Sequence, residues 1–143
     1  MIGFNRKNNS LYVDEVLLSE LASDYGTPSY IYSAKLIKEN FERYSKSLRS
    51  KDLTCYAVKA NPNIEILKLL NEIGSGFDVV SANEIKRTLL AGADSSKIVF
   101  SGVGKTIEEI SFAIDSDILF INIESYNELI KVNDLAIEKK KKV

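Results

Sequence analysis

The amino-acid sequence predicts an α/β protein with about four βα units around a parallel sheet. Four short apolar segments recur about 20–22 residues apart in the second part of the chain, the length of a strand followed by a crossover helix. A helix-start motif follows three of these segments. Repeated βα units form either an open doubly wound sheet or a (β/α)8 barrel. Because no glycine-rich dinucleotide fingerprint follows the first strand, we favour a partial barrel of about four units.

The first 50 residues have a different pattern. Residues 17–28, LLSELASDYGTP, predict a short helix that ends at Gly26, just before a proline. Residues 29–33, SYIYS, predict a strand. Ser33 is the expected N-cap of a second helix that runs to about Leu48. No linker rich in glycine, proline or serine divides the chain.

The four apolar segments are short and rich in β-branched or aromatic residues, as buried strands of a parallel sheet are. They are LTCYAV (53–58), FDVV (77–80), IVF (98–100) and ILFINI (118–123). Between the first two, NIEILKLLNEIG predicts a helix that Asn63 caps and Gly74 ends. Its apolar residues have helical spacing and are Ile64, Leu67, Leu70 and Ile73.

Three S/T-x-x-E motifs predict the later helix starts. They are Ser81 with Glu84, Thr106 with Glu109, and Ser125 with Glu128. In this capping box the hydroxyl and the carboxylate each accept a hydrogen bond from an otherwise unpaired backbone N–H. The motifs come shortly after predicted strands, so they support the same order of strands and helices.

Composition excludes several classes of function. The chain has 143 residues with 19 Lys+Arg against 20 Asp+Glu, which gives no basic footprint for nucleic acid. The absence of histidine excludes Ser-His and Cys-His nucleophile systems and most zinc sites, and we expect no metal. No segment suits a membrane span or a secretory signal. Cys55 is the only cysteine, so we expect a cytoplasmic protein. The run Lys139–Lys142 is predicted to be a solvated tail.

The segment YAVKANPN places a lysine at the end of a predicted buried strand. Because strand side chains alternate between faces, Lys59 shares its face with Cys55 and Ala57, which are small and leave room beside it. The same face collects polar residues at the C-terminal ends of strands, where barrel enzymes place their chemistry. These residues are Asp78, Asn122 and Glu124.

Two interpretations of Lys59 stay open at this point. In the first, the lysine turns out of the strand end toward solvent and pairs with Asp78. In the second, its amine is held partly desolvated, so that the neutral form is accessible and can form a Schiff base. Asp78 is then either a salt-bridge partner or a general base, and Cys55 is a packing residue.

Three segments occur in the order YAVKANPN, GSGFDVVSANEIKRTLLAGADSSKIVFSGVGKT and INIESYNEL, and GTPSYIYS precedes them. This combination resembles the N-terminal part of the diaminopimelate decarboxylases, which belong to the alanine-racemase-like, fold type III, pyridoxal-phosphate enzymes. The resemblance runs from about Phe4 to about Val132. YAVKAN alone is also similar to ornithine and arginine decarboxylases, whereas FSGVGKT together with IES favours the diaminopimelate enzymes.

The resemblance implies a (β/α)8 barrel that carries pyridoxal 5′-phosphate on Lys59, with Asp78 close to the Schiff base between this lysine and the cofactor. It implies that residues 1–32 belong to a separate β-domain of the family and residues 33–143 to the N-terminal half of the barrel. The implied reaction is decarboxylation of meso-diaminopimelate to L-lysine in lysine biosynthesis. The implied partners are a small-molecule amino acid and a second copy in a homodimer, without nucleic acid or membrane.

The resemblance also implies that other parts of the family's site lie beyond Val143. These are a ring-stacking histidine, a phosphate-binding loop, an acid at the pyridine nitrogen, and a substrate-binding arginine and tyrosine. We therefore expect a truncated product or fragment, inactive alone, with open strand edges. The alternatives are a non-catalytic half-barrel remnant or interaction module, an ornithine- or arginine-type decarboxylase, and a pyridoxal-phosphate carrier barrel.

Overall fold

The computed structural model describes residues 3–143 as two compact units that divide between Ser50 and Lys51. The N-terminal unit begins with a three-stranded antiparallel sheet whose middle strand pairs with both neighbours. Its strands are β1 (Phe4–Lys7), β2 (Ser10–Val13) and β3 (Val16–Leu17). The apolar pattern of the sequence predicted no strand here, so this meander is a finding of the structure.

Two-residue turns join these three strands. Asn8 and Asn9 have φ angles of 49° and 65°, and Asp14 and Glu15 have φ angles of 47° and 80°. Two consecutive positive φ angles are typical of type I′ hairpin turns, whose twist matches that of the strands and which favour Asn and Asp. Turn chemistry, rather than a long apolar pattern, therefore specifies the meander.

Two helices complete the N-terminal unit: α1 (Leu18–Tyr25) and α2 (Ala34–Ser45). Helix α1 ends at Gly26, as predicted, and α2 begins after the predicted cap, Ser33, whose hydroxyl oxygen accepts the Leu36 N–H at 3.0 Å. The predicted strand at residues 29–33 is wrong, because these residues have no ladder partner in the described chain. The alternating tyrosines that suggested a strand do not form a buried face, since Tyr30 is 92% exposed.

A carboxylate links the start of α2 to the meander. The Ser33 hydroxyl donates a hydrogen bond to the Asp14 carboxylate, which also accepts the Gly3 N–H at 3.0 Å. The hydrogen bond from Ser33 is the largest cause that lowers the pKa of Asp14. The ionised carboxylate thus connects the second hairpin turn, the first strand and the cap of α2.

The C-terminal unit contains the predicted parallel sheet, in the order β4-β5-β6-β7. The strands are β4 (Cys55–Ala57), β5 (Gly76–Val79), β6 (Ile98–Phe100) and β7 (Phe120–Ile121). Ala57 pairs with Asp78, and Asp78 pairs with Val99. β4 and β7 are the outer strands of this sheet. The predicted α/β class is confirmed, although β4 and β7 are shorter than their apolar segments.

Helices follow each of these strands and cover one face of the sheet. They are α3 (Ile64–Glu72), α4 (Ala82–Leu90), α5 (Ile107–Asp115) and α6 (Tyr126–Glu138). Strand β5 alternates as expected, because Phe77 and Val79 are fully buried and Asp78 between them is half-buried. Strand β6 is buried throughout, with Phe100 fully buried. From the helices, Leu67, Ile85 and Ile110 complete the core and are fully buried.

All three predicted S/T-x-x-E motifs start helices, but only one forms the reciprocal box. Thr106 and Glu109 exchange both hydrogen bonds. Ser81 and Ser125 accept the expected N–H groups, yet the Glu84 carboxylate accepts the Val80 N–H instead, and the Glu128 carboxylate contacts Lys105. Asn63 caps α3 as predicted, accepting the Glu65 N–H at 3.0 Å.

The terminal lysine run is partly bound, so the predicted solvated tail is wrong for two of its members. Lys139 pairs with Asp115 at 2.8 Å, and Lys141 pairs with Asp117 at 2.9 Å. Lys141 also donates to the carbonyl oxygens of Ile114 and Asp115 at 3.1 and 3.0 Å. An ammonium at this position satisfies carbonyls that the end of a helix leaves unpaired.

Candidate active site

Lys59 lies just beyond the sheet, in a single 3₁₀ turn (Val58–Ala60) that follows β4. Val58 is fully buried and anchors the turn, and the Tyr56 hydroxyl donates to the Asn61 carbonyl at 3.3 Å across it. The Lys59 side chain is exposed, and within residues 3–143 it makes no hydrogen bond or ion pair. The lysine is therefore accessible at the C-terminal end of the first strand.

This exposure corrects two sequence-based expectations. The prediction assumes that side chains alternate between the two sheet faces through Lys59, but β4 ends at Ala57 and the chain turns there. Consequently the described residues do not desolvate the amine, and Lys59 does not pair with Asp78 in the structure. Its placement at the strand end, beyond the residue that pairs with Asp78, agrees with the prediction.

Asp78 lies near the C-terminal end of β5 and is half-buried. The Ser101 hydroxyl, directly after β6, donates to Asp78 Oδ1 at 2.5 Å. The Asn122 amide, directly after β7, donates to Ser101 Oγ at 2.9 Å. These three side chains form a hydrogen-bonded row across neighbouring strand ends, which we call the Asp78 network. Asn122 was predicted on this face, whereas Ser101 was not singled out.

Cys55 lies on the same face as Asp78. Partial burial is the larger cause that raises the pKa of its thiol, and the negative charge of Asp78 raises that pKa further. A Cβ atom placed on Gly76 would lie 2.8 Å from Cys55 Sγ and 2.7 Å from the Lys97 carbonyl oxygen. Cys55 therefore packs tightly against a position that only glycine fits, which agrees with its predicted role as a packing residue.

Glu124 does not join this site. It is exposed, and among the described residues no hydrogen bond or ion pair involves it. The predicted strand continued through residue 123, but β7 ends at Ile121, so alternation no longer directs the side chain of Glu124. The prediction that Glu124 faces the sheet with Asp78 is therefore not supported by the structure.

The structure adds a buried ion pair that the sequence analysis missed. The side chains of Lys105 and Glu128 are only 1% and 9% exposed, and their charged atoms are 2.5 Å apart. Lys105 Nζ also donates to the carbonyl oxygens of Gly102 and Asn122 at 2.8 and 2.7 Å. It lies 5.5 Å from the centre of the Phe100 ring. The motif FSGVGKT contained this lysine, but nothing local indicated its partner 23 residues later.

Other features of the described residues bear less on this site. A groove of about 430 Å³ is lined by Ile64, Asn83, Lys86, Arg87 and Leu90, all from helices α3 and α4. None of these residues belongs to a strand end, so we assign the groove no part in the chemistry.

Within residues 3–143 there is no cluster of acidic, cysteine or histidine side chains suited to a metal ion. No helix of that range is long and apolar enough to cross a membrane.

Residues 34–143 match the family described as the pyridoxal-binding domain of the pyridoxal-dependent decarboxylases. The chain belongs to this family. Membership confirms the predicted resemblance and pyridoxal 5′-phosphate as the family's cofactor.

Individual relatives point to one branch of the pyridoxal-dependent decarboxylases. The chain is 46% identical over 130 residues to a diaminopimelate decarboxylase of Aquifex aeolicus, covering 91% of this chain and 31% of that protein. It matches the structure of diaminopimelate decarboxylase from M. jannaschii in complex with L-lysine with a TM-score of 0.92 and 37% identity, over 98% and 35% of the two chains.

An ornithine decarboxylase structure from Entamoeba histolytica is less similar, with a TM-score of 0.66 and 32% identity over 72% of this chain and 30% of that one. The chain thus spans about a third of the length of the relatives it matches.

The residues present fit one end of the family's cofactor. Lys59 offers an accessible primary amine for its aldehyde, and the Asp78 network lies at the neighbouring strand ends. The face between them is formed by small side chains, including Cys55 and Ala57, so it leaves space above the sheet. We assign no residue of the range 3–143 to the phosphate group or the pyridine nitrogen.

Proposed function

We propose that this chain carries the cofactor-anchoring part of a pyridoxal-phosphate-dependent decarboxylase that converts meso-diaminopimelate to L-lysine in lysine biosynthesis. The observation that carries the proposal is the position of Lys59, an accessible amine at the end of β4 beside the Asp78 network. The 46% identity to a diaminopimelate decarboxylase supports the substrate.

Each polar side chain at the strand ends has a role that follows from its contacts. Lys59 Nζ would hold the cofactor, because a neutral amine is a nucleophile toward an aldehyde. Asp78 would place a carboxylate at the neighbouring strand end, next to the bond between Lys59 and the cofactor. Ser101 donates to Asp78 Oδ1 and so orients that carboxylate.

When bound, the cofactor supplies an electron sink for the electrons released as a carboxylate leaves an amino acid as carbon dioxide. Because the Lys59 side chain is exposed, residues 3–143 do not by themselves exclude water from it. The residues of this chain would thus anchor the cofactor and orient the groups around its attachment point. We assign no residue of the range 3–143 to the substrate's side chain.

Two further proposals concern the setting of the site. Residues 1–32 belong to the family's β-domain and residues 33–143 to the barrel. The antiparallel meander and the family match from residue 34 support this division, whereas the two compact units divide later, between Ser50 and Lys51. The working form is a cytoplasmic homodimer that binds a small amino acid, as the diaminopimelate decarboxylase resemblance implies. Light scattering of the purified protein, measured as molar mass against concentration, tests the dimer.

Turnover in a chimera tests the proposed reaction. Residues 3–143 replace the matching part of the Aquifex aeolicus relative, which supplies the remaining two thirds. We expect this chimera to release carbon dioxide from meso-diaminopimelate, whereas selection among substrates comes from the relative's own two thirds, because no residue of the range 3–143 is assigned to the substrate's side chain. The matched control is Lys59→Ala in the same chimera, which should release none.

A second chimera tests the ornithine- or arginine-type decarboxylase, for which the Entamoeba histolytica structure is the specific observation. It joins residues 3–143 to the rest of that enzyme, and the alternative is favoured if this chimera retains a larger share of its parent's turnover than the Aquifex aeolicus chimera retains. Folded chimeras that hold the cofactor but release no carbon dioxide would favour a non-catalytic half-barrel.

A further inference from the structure

Lys105 and Glu128 form a buried ion pair in the C-terminal unit. Lys68 with Glu65 and Lys141 with Asp117 lie on the surface, where such pairs contribute little to stability. The Lys105 side chain, by contrast, is 1% exposed. Burying two charges costs several kcal/mol of desolvation, and an apolar pair of similar size is often equally stable. Stability alone is therefore a poor reason for the pair.

The hydrogen bonds of Lys105 indicate what the pair holds in place. Besides Glu128, the ammonium donates to the carbonyl oxygens of Gly102 and Asn122, so all three N–H donors are used. Gly102 directly follows Ser101, and Asn122 directly follows β7. Lys105 thus binds the backbone next to Ser101 and the backbone of Asn122, and both of these residues belong to the Asp78 network.

The bonds continue from these two residues to Asp78. The Asn122 amide donates to Ser101 Oγ at 2.9 Å, and the Ser101 hydroxyl donates to Asp78 Oδ1 at 2.5 Å. The backbone at Gly102 packs closely on Val80, because a Cβ placed on Gly102 would lie 3.2 Å from the Val80 Cβ. Displacement of the Gly102 or Asn122 carbonyl would move a donor of the network, because Gly102 directly follows Ser101 and Asn122 is itself a donor.

We propose that Lys105 and Glu128 are positioning residues for the site, fixing Ser101 and Asn122 so that they orient the Asp78 carboxylate beside Lys59. Glu128 orients Lys105, because it is the only carboxylate among residues 3–143 that contacts the ammonium. The catalytic part of this inference rests on the proposed function, whereas the positioning of Asn122 and Ser101 can be measured without the cofactor.

The test removes both charges together, so that neither is left buried alone. The variant is Lys105→Met/Glu128→Leu, and the matched control is Lys139→Met/Asp115→Leu, which removes the ion pair at the opposite end of α5 and α6. Thermal melting checks that both variants fold. Two readouts follow: the side-chain amide NMR signals of Asn122 without cofactor, and the rate at which added pyridoxal phosphate becomes covalently bound at Lys59.

The positioning role predicts that the buried-pair variant folds, shifts the Asn122 amide signals, and slows capture at Lys59 about tenfold or more, since small displacements of reacting groups carry penalties of this size. The Lys139 and Asp115 control should change neither readout. A folded buried-pair variant with unchanged Asn122 signals and an unchanged capture rate would overturn the proposal, and the pair would then only hold helices together.

A second variant applies if the double variant does not fold. Lys105→Arg retains the charge but cannot place its planar guanidinium on both carbonyls as an ammonium does. It should fold, shift the Asn122 signals and slow capture, and the absence of both effects would overturn the proposal. If the unaltered chain captures no pyridoxal phosphate at Lys59, the proposed function fails, and the Asn122 signals alone decide the positioning role.

Discussion

Seventeen apolar residues are buried in the range 3–143, and Val13 is the one that belongs to the N-terminal unit. Neither α1 nor α2 has a buried residue, whereas each of the helices α3 to α6 has at least two. The N-terminal unit instead has two type I′ turns and the Asp14 hydrogen bonds. The C-terminal unit is specified by its core, and the N-terminal unit by local backbone and polar contacts.

This difference decides which unit can position chemistry by itself. The buried faces of β4 to β7 fix the strands, and the strand ends then place Lys59, Asp78, Ser101 and Asn122. A functional site needs such rigid support, because small displacements of the reacting groups are costly. The predictions below test this contrast.

Removing a core phenylalanine should have the largest effect on folding. Phe77→Ala in β5 should lower the free energy of unfolding by about 3–5 kcal/mol, because it leaves a cavity at a fully buried position. The matched change Phe4→Ala in β1 should cost less than about 1 kcal/mol, because Phe4 is 48% exposed. Urea unfolding followed by circular dichroism measures both. Equal losses would contradict the contrast between the two units.

The turn at Asn8 and Asn9 should be the sensitive point of the N-terminal unit. Asn9→Ala should lower the free energy of unfolding of the meander by about 1 kcal/mol, because alanine lacks the short polar side chain whose local hydrogen bonds let asparagine tolerate a φ of 65°. Asn9→Gly should be tolerated, since glycine adopts positive φ readily. Amide hydrogen exchange in β1 and β2 reports the change. Faster exchange for Asn9→Gly than for Asn9→Ala would refute this account of the turn.

These two regions also differ in how well the sequence predicted them. Apolar runs predicted the four parallel strands, and Ser33, Asn63 and Thr106 were correctly identified as helix caps. The meander was missed because its strands are short and mostly exposed, although the Asn-Asn pair between them is a recognised hairpin signal. The strand at residues 29–33 failed for the opposite reason: its alternation has no sheet to pair with.

The candidate site was predictable only where strands continue. Asp78 lies within β5, and Asn122 directly follows β7 with its N–H still bonded to the Phe100 carbonyl, so alternation placed both correctly. Alternation does not place Lys59 or Glu124, since they lie two and three residues beyond the last residue of a strand. The pair of Lys105 and Glu128 was beyond sequence reasoning, because it joins the loop before α5 to the first turn of α6, which only the tertiary fold brings together.

The charge of Asp78 should be detectable through Cys55. Burial and the Asp78 charge both raise the pKa of this thiol, so Asp78→Asn should lower that pKa and increase the reaction rate with iodoacetamide a few-fold near neutral pH. Burial remains in the variant, so the pKa should stay above its ordinary value. The control Asp115→Asn leaves the thiol unchanged. An unaltered rate in Asp78→Asn would mean that Asp78 does not act on this face of the sheet.

The smallest effect concerns acid stability of the N-terminal unit. The Ser33 hydrogen bond lowers the pKa of Asp14 below its unfolded value, so the stabilisation is present above that value and is lost as pH falls through the lower, folded pKa. The meander of Asp14→Asn should therefore lose less stability than that of the unaltered protein as the pH falls from about 5 to about 2. Hydrogen exchange or melting at each pH measures it. An identical acid dependence in both proteins would rule out Asp14 as a contributor.

The most direct test of the central claim is covalent capture of pyridoxal phosphate, followed by borohydride reduction and peptide mass spectrometry. The account predicts that Lys59 is labelled in preference to the fourteen other lysines, and that Lys59→Arg loses this label while Lys68→Arg keeps it. Label distributed over the exposed lysines, with Lys59 no more reactive than Lys68, would contradict it.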